Sequence, residues 1–186
     1  MEIKLNKSPE SPEERKKMIG EIIKEQEMLL AQSIGYIQRM IIQYLLELGY
    51  SLNDIEINKQ YEITVSENEK FLASVDMVVS LEGKVIYAIK CSPASIDSWE
   101  RFMFAFCRVV EPYQIPFAVV TDGQRGITIN ILTGQVSEKI QILSKEELMK
   151  MMPSLEFVPY NQEKLAKEKR ILYAFDAIKC CPTCNP

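Results

Sequence analysis

VDMVVSLEGKVIYAIK, residues 75–90, decides the fold. Two apolar runs flank Glu82-Gly83 and read as a hairpin. Asp76 interrupts the first run and Lys90 ends the second. Side chains at i and i+2 share one face of a strand. Ala88 and Lys90 therefore point one way, away from Val85, Tyr87 and Ile89. Asp76 shares its face with Ser74 and Val78, away from Val75, Met77 and Val79. A two-residue loop at Glu82-Gly83 would pair Asp76 with Ile89 and send Lys90 to the opposite face. A three-residue loop, or a bulge, brings Asp76 onto the face of Ala88 and Lys90, and Gly83 suits the left-handed position such a connection needs. We expect the odd-length loop or the bulge. A buried, unpaired Asp76 would cost several kcal/mol, so it needs a partner whether the pair is a site or a structural salt bridge.

Working outward, IEINKQYEITV (55–65), FLASVDMVVSL (71–81) and KVIYAIKC (84–91) alternate with a period near two and predict three consecutive strands. Upstream, Ser11-Pro12-Glu13-Glu14 is a helix start, with Glu14 placed to close a capping box. Apolar residues then recur at helical spacing through Ile22, Ile23, Leu29, Leu30, Ile34, Ile37, Ile41, Leu45 and Leu46. Gly35 is a point where this helix could bend or divide, and Gly49 is its stop signal. Downstream, residues 92–111 predict a helix with Trp99, Phe102, Met103, Phe106 and Val110 on its apolar stripe. IPFAVVTDG (115–123) is a wholly apolar strand that belongs mid-sheet, and GITINILTG (126–134) is another. Ser144 with Glu147 forms a second capping box before a short helix, and residues 161–179 predict a last helix. The order is α/β: an antiparallel meander, then one crossover that adds a parallel strand, giving a mixed sheet of about five strands.

The chain has 186 residues, 47% of them apolar, which suffices for one packed domain. We divide it into a 1–11 extension, a 12–143 core domain, a 144–179 helical appendage and a 180–186 tail. No run reaches the roughly 18–20 apolar residues of a membrane span, and the N-terminus lacks a secretory apolar region. These features predict a cytoplasmic protein without a membrane partner. The net charge is -4, which argues against a general polyanion binder but not against local basic patches. Lys16-Lys17 and Lys164, Lys167, Lys169 and Arg170 are such patches; each also reads as a solvated helix face. The chain has no histidine, so Ser-His, Cys-His and His-metal chemistry are excluded within it.

The face that carries Asp76 and Lys90 suits a particular chemistry. A mid-strand carboxylate can hold Mg²⁺ through oxygen. Such an ion polarises a phosphodiester and acidifies water. A nearby lysine orients that water or stabilises developing charge. The acid that would complete the site, two residues before the lysine, is here Ala88.

The order of helix, three strands, helix and strand, with Asp on the second strand and x-x-Lys closing the third, resembles the PD-(D/E)xK nuclease superfamily. It is more narrowly similar to the N-terminal nuclease domain of type I restriction enzyme R subunits. The resemblance spans residues 30–135 and rests on YLLELGYSLNDIEINKQYEI, FLASVDMVVSLEGKVIYAIK and PYQIPFAVVTDGQRG, whose Thr121-Asp122-Gly123 resembles a Thr-Asn-Gly strand end. It implies a restriction-endonuclease-like three-layer core and DNA phosphodiester hydrolysis with Mg²⁺. It casts Asp76 as metal ligand and Lys90 as catalytic lysine. It also implies DNA and restriction or repair complex subunits as partners. The chain departs from the pattern at Ala88. It also lacks the usual first-helix acid before Arg39 and has Glu100-x-x-x-Phe104 where Gln-x-x-x-Tyr is usual. Glu100 is the candidate migrated carboxylate. The alternatives are an inactive nuclease-fold binding or assembly module and a small cysteine-metal structural protein. The last rests on Cys180-Cys181-Pro182-Thr183-Cys184, a thiolate knuckle suited to zinc or an iron–sulfur cluster, with Cys91, Cys107 or another chain supplying the fourth ligand. Free thiols are the plainer reading.

Overall fold

A computed structural model describes residues 11–67, 69–93 and 95–179. Helix α1 (Pro12–Glu47) starts where Ser11 is extended and its hydroxyl accepts the Glu14 N–H at 3.1 Å; Pro12 occupies a position whose N–H needs no partner. The helix runs through Gly35 without dividing. Gly49, at φ +88°, ends it, while the Gly49 and Tyr50 N–H groups return to the carbonyls of Leu46 and Leu45. Its fully buried residues, Ile37, Ile41 and Leu45, all lie toward the C-terminal end.

Strands β1 (Ile55–Ser66), β2 (Glu69–Leu81), β3 (Lys84–Cys91), β4 (Phe117–Thr121), β5 (Gly126–Asn130) and β6 (Val136–Ser137) form one mixed sheet in chain order. All neighbouring pairs are antiparallel except β3 and β4, which run parallel across helix α2 (Glu100–Val109). The sheet has six strands, one more than the sequence predicts, because β6 is two residues long and carries no readable alternation. The helix after β3 also begins later than its pattern. The Ser92 N–H bonds the Thr121 carbonyl and prolongs the line of β3, and a 3₁₀ turn (Asp97–Trp99) then leads into α2. The apolar run of β4 lies mid-sheet, as its lack of alternation requires. Helices α3 (Lys145–Met151), with its Ser144–Glu147 capping box, and α4 (Gln162–Lys179) complete the described residues.

Three layers result. On one face, Ile37, Ile41 and Leu45 of α1 and Leu148 of α3 pack on Met77, Val79, Ile89 and Val119. On the other, Phe102 and Phe106 of α2 and Leu172 of α4 pack on Val78, Ala88 and Val120. Each fully buried large side chain contributes about 1.5–3 kcal/mol of burial free energy. Helix α4 is tied to α2 through Glu168, 4% exposed, whose carboxylate meets Arg101, Arg108 (3.1 Å) and the Tyr160 hydroxyl (3.3 Å). The Arg108 guanidinium lies 4.8 Å from the ring centres of both Phe104 and Tyr160.

The segment before α3 is strapped to the α1 end of the core. The Tyr50 hydroxyl donates to the Leu143 carbonyl at 2.8 Å, and the Leu143 N–H donates to the Tyr87 hydroxyl at 3.2 Å. Burial pushes the Tyr87 phenol up to about 12, so it stays protonated. The Lys145 ammonium meets Asp54 at 2.6 Å. Burial opposes the charged form of Asp54, but hydrogen bonds from Lys145 and Ser51 outweigh it and hold the carboxyl below its ordinary value. A carboxyl depressed in the folded state stabilises fully above its unfolded pKa and loses that contribution as pH falls through the folded value. We therefore expect Asp54→Asn to be less stable than the native protein near neutrality, by on the order of 1 kcal/mol or less. The two should converge in acid, as the pH falls through the lowered folded value, in urea titrations at several pH values. A gap that persists in acid would rule out this origin.

Candidate functional site

The hairpin turn between β2 and β3 is the two-residue Glu82-Gly83, at φ +50° and +75°, the left-handed pair that a tight hairpin favours. It pairs Leu81 with Lys84 and Ser80 with Val85. The register then slips, and Val79 faces Tyr87, Val78 faces Ala88 and Met77 faces Ile89. Ile86 is the extra residue. The expected bulge is thus present, and the loop has even length. The bulge also corrects one detail of the sequence reading. Val85 lies in the cluster of Ala88 on the α2 face, while Ile86, Tyr87 and Ile89 all lie in the α1-face cluster.

A second irregularity sits across from Asp76. The β1–β2 register places Ile57 on Met77 and Lys59 on Val75, with Asn58 between them at φ +53°. Ile55, Met77 and Val79 pack on the α1 face, whereas Ile63, Ala73 and Val75 pack on the α2 face, although all are odd-numbered. The pleat of both strands reverses at the Asn58–Asp76 step with no change of register. Val75 and Val78, three residues apart with Asp76 and Met77 between them, therefore share the α2 face, which simple alternation does not allow. Asparagine tolerates the left-handed conformation better than most residues. Its side-chain oxygen is held by the Gln38 amide of α1 at 2.9 Å.

The bulge brings Asp76 opposite Lys90 on one face of the sheet. The Lys90 ammonium lies 2.7 Å from Asp76 Oδ2, and the Cys91 N–H donates to the same oxygen at 2.7 Å. Both side chains are about nine-tenths buried, at 10% and 11% exposure. Asp76 Oδ1 accepts no hydrogen bond from the described residues. Lys90 also lies 4.8 Å from the ring centre of Trp99, which packs edge-on against Phe102 and leans on Phe175 of α4. Trp99 and α4 thus roof the lysine, a role that the apolar stripe alone does not reveal. The one available signal is position: Trp99 lies immediately before α2, at the end of the β3 connection.

Ala88 is fully buried in the α2-side core. Glu100 is the first residue of α2, next to Trp99, and its carboxylate accepts no hydrogen bond from the described residues. Among the described residues, no three His, Cys, Asp or Glu side chains converge as a ready-made cage for a metal ion. Cys91 turns into the α1-side core. Burial pushes its thiol up to about 12; the nearby Asp76 adds to this and Lys90 opposes it. Cys107 is wholly buried, and burial raises its thiol too. Cys180, Cys181 and Cys184 lie outside the described residues. The Thr121-Asp122-Gly123 corner is structural. Asp122 Oδ1 accepts the Gln124 and Arg125 N–H groups and Oδ2 meets the Arg125 guanidinium, so Asp122, unlike Asp76, offers no spare oxygen.

A family model for the N terminus of the type I restriction enzyme R protein matches residues 36–145, more than half of the chain. The chain belongs to this family. The matched span runs from the last third of α1 to the start of α3, so it contains the whole sheet, both irregularities and the Asp76–Lys90 pair. No curated protein and no solved structure matches the chain. Membership of the R-protein N-terminal family fits a nuclease-like role or another role in a restriction system. Among the described residues, no helix of this family member is long and apolar enough to cross a membrane.

Proposed function

We propose that this R-protein N-terminal domain hydrolyses DNA phosphodiesters with a divalent metal at the Asp76–Lys90 face. One observation carries the reading: Lys90 holds one carboxylate oxygen of Asp76 while the other, Oδ1, has no hydrogen-bond partner among the described residues. Mg²⁺ commonly takes one or two carboxylates and completes its shell with substrate phosphate and water. Asp76, with Glu100 as the second acid, is a donor set of that kind. When bound, the ion would polarise the phosphodiester and make a water molecule acidic. Lys90 would orient the attacking water or offset charge developing on the phosphorus oxygens. The Cys91 N–H fixes the orientation of the Asp76 carboxylate, and the Trp99 ring shields the lysine from bulk water.

A second reading keeps the fold and the DNA or restriction-complex context but removes turnover. The burial of Ala88 at the position of the missing acid favours it. Incubation of linear, circular and single-stranded DNA with Mg²⁺ or Mn²⁺ separates the two readings. We expect metal-dependent cleavage that Asp76→Asn and Lys90→Ala each reduce by about 100-fold or more. Glu100→Gln tests the second acid in the same assay. DNA retained without any cleavage would leave the binding module. Cleavage undiminished in Asp76→Asn would remove the proposed site.

A further inference from the structure

We propose that the projecting half of α1 pairs antiparallel with the same segment of a second copy of this chain. The core cluster on the α1 face begins at Ile34 and continues through Ile37, Ile41 and Leu45. The same helical stripe extends upstream through Leu30, Ile23 and Ile19 at spacings of three, four or seven residues, where the sheet no longer lies beneath it. Ile19 is 56% exposed and Leu30 50%. A helix segment of about 20 residues standing alone in water is marginal, and its stability comes from packing its apolar face.

The charges along this stripe select the occupant and its direction. Lys16, Ile19, Gly20, Ile23 and Glu27 line one shallow groove on the helix. Set antiparallel about a point between Glu21 and Ile22, Lys16 of each copy meets Glu27 of the other, twice by symmetry. Ile23 of each copy then faces Gly20 of the other. Gly20 has open space where a side chain would stand, so the two backbones can approach there. A parallel pairing would instead set Lys16 against Lys16 and Glu27 against Glu27. The overlap would run for about 30 Å at 1.5 Å per residue.

Sedimentation equilibrium on the full chain, in reducing buffer from micromolar to hundreds of micromolar, tests the pairing. We expect a monomer–dimer equilibrium. Lys16→Glu and Glu27→Lys should each weaken it about tenfold, since each turns two attractive contacts into repulsive ones. The double variant Lys16→Glu/Glu27→Lys should restore it, and the two single variants should pair with each other when mixed. These exposed helix positions leave the packed domain intact, and circular dichroism would verify that. A monomer at every concentration overturns the proposal. So does a dimer that the single exchanges leave as tight as before, or one that the double exchange fails to restore.

Discussion

Replacing Lys90 by methionine is expected to destabilise the domain by about 3–5 kcal/mol, because it leaves the Asp76 carboxylate buried without its counter-charge. The Cys91 N–H still bonds Asp76 Oδ2, which places the loss toward the lower end of that range. Asp76→Ala should cost a similar amount. There the lysine is stranded beneath the Trp99 ring, whose face returns part of the lost interaction. The double replacement Asp76→Val/Lys90→Met should recover most of the stability, since an apolar pair of similar volume often equals or exceeds a buried ion pair. Urea denaturation of the four proteins gives the coupling directly. A loss below about 1 kcal/mol in Lys90→Met would mean that water reaches Asp76 freely. A double variant at least as stable as the native protein would show that the ion pair is not needed for folding, which is the pattern expected of a pair kept for chemistry.

Glu168→Ala is expected to cost about 3 kcal/mol and to loosen α4 from α2. The substitution leaves two guanidinium groups facing each other with no carboxylate between them. Arg101 is half exposed and can turn to water, but Arg108 is 21% exposed, packed between two rings, and its Nε is already buried without a partner among the described residues. For a chain of this size the melting temperature should fall by about 6–12 °C. The consequence reaches the site, because α4 carries Phe175 onto Trp99, and Trp99 covers Lys90. Trp99 is the only tryptophan, so its emission reports on this roof alone. We expect a red shift in Glu168→Ala under native conditions and a smaller one in Glu168→Gln. An unshifted spectrum with a melting point within about 2 °C of the native protein would exclude the coupling.

Much of this arrangement is legible in the sequence, and what is not legible has a physical reason. Strand parity alone shows that Asp76 and Lys90 can share a face only if one residue is gained in the hairpin. It does not locate that residue, because Ile86 is apolar and suits either face of a sheet covered on both sides. Nothing in IEINKQYEI announces the pleat reversal, since Ile55, Ile57, Tyr61 and Ile63 keep an even spacing throughout. Asn58 is the one residue there with a tolerance for positive φ, and it acts on Asp76 across a strand. Glu168 lies in a run of lysines that reads as a solvated surface. Its burial depends on Arg101 and Arg108, some sixty residues earlier in the chain, and local pattern carries no trace of such a partner. The start of α2 is misplaced for a related reason: Ser92 stays extended because it bonds to Thr121 of a strand formed later in the chain.

The bulge at Ile86 matters for how this hairpin can change over time. Turn length and strand slippage together fix the parity that aims Lys90. A single-residue insertion at Glu82-Gly83 would flip everything beyond it to the wrong layer, unless Ile86 were lost in the same step. Gaps in this region should therefore arise as compensating pairs, one in the turn and one in the third strand. An alignment that matches only the aspartate and the lysine, and treats the residues between them as filler, would miss the rule that keeps the two in contact.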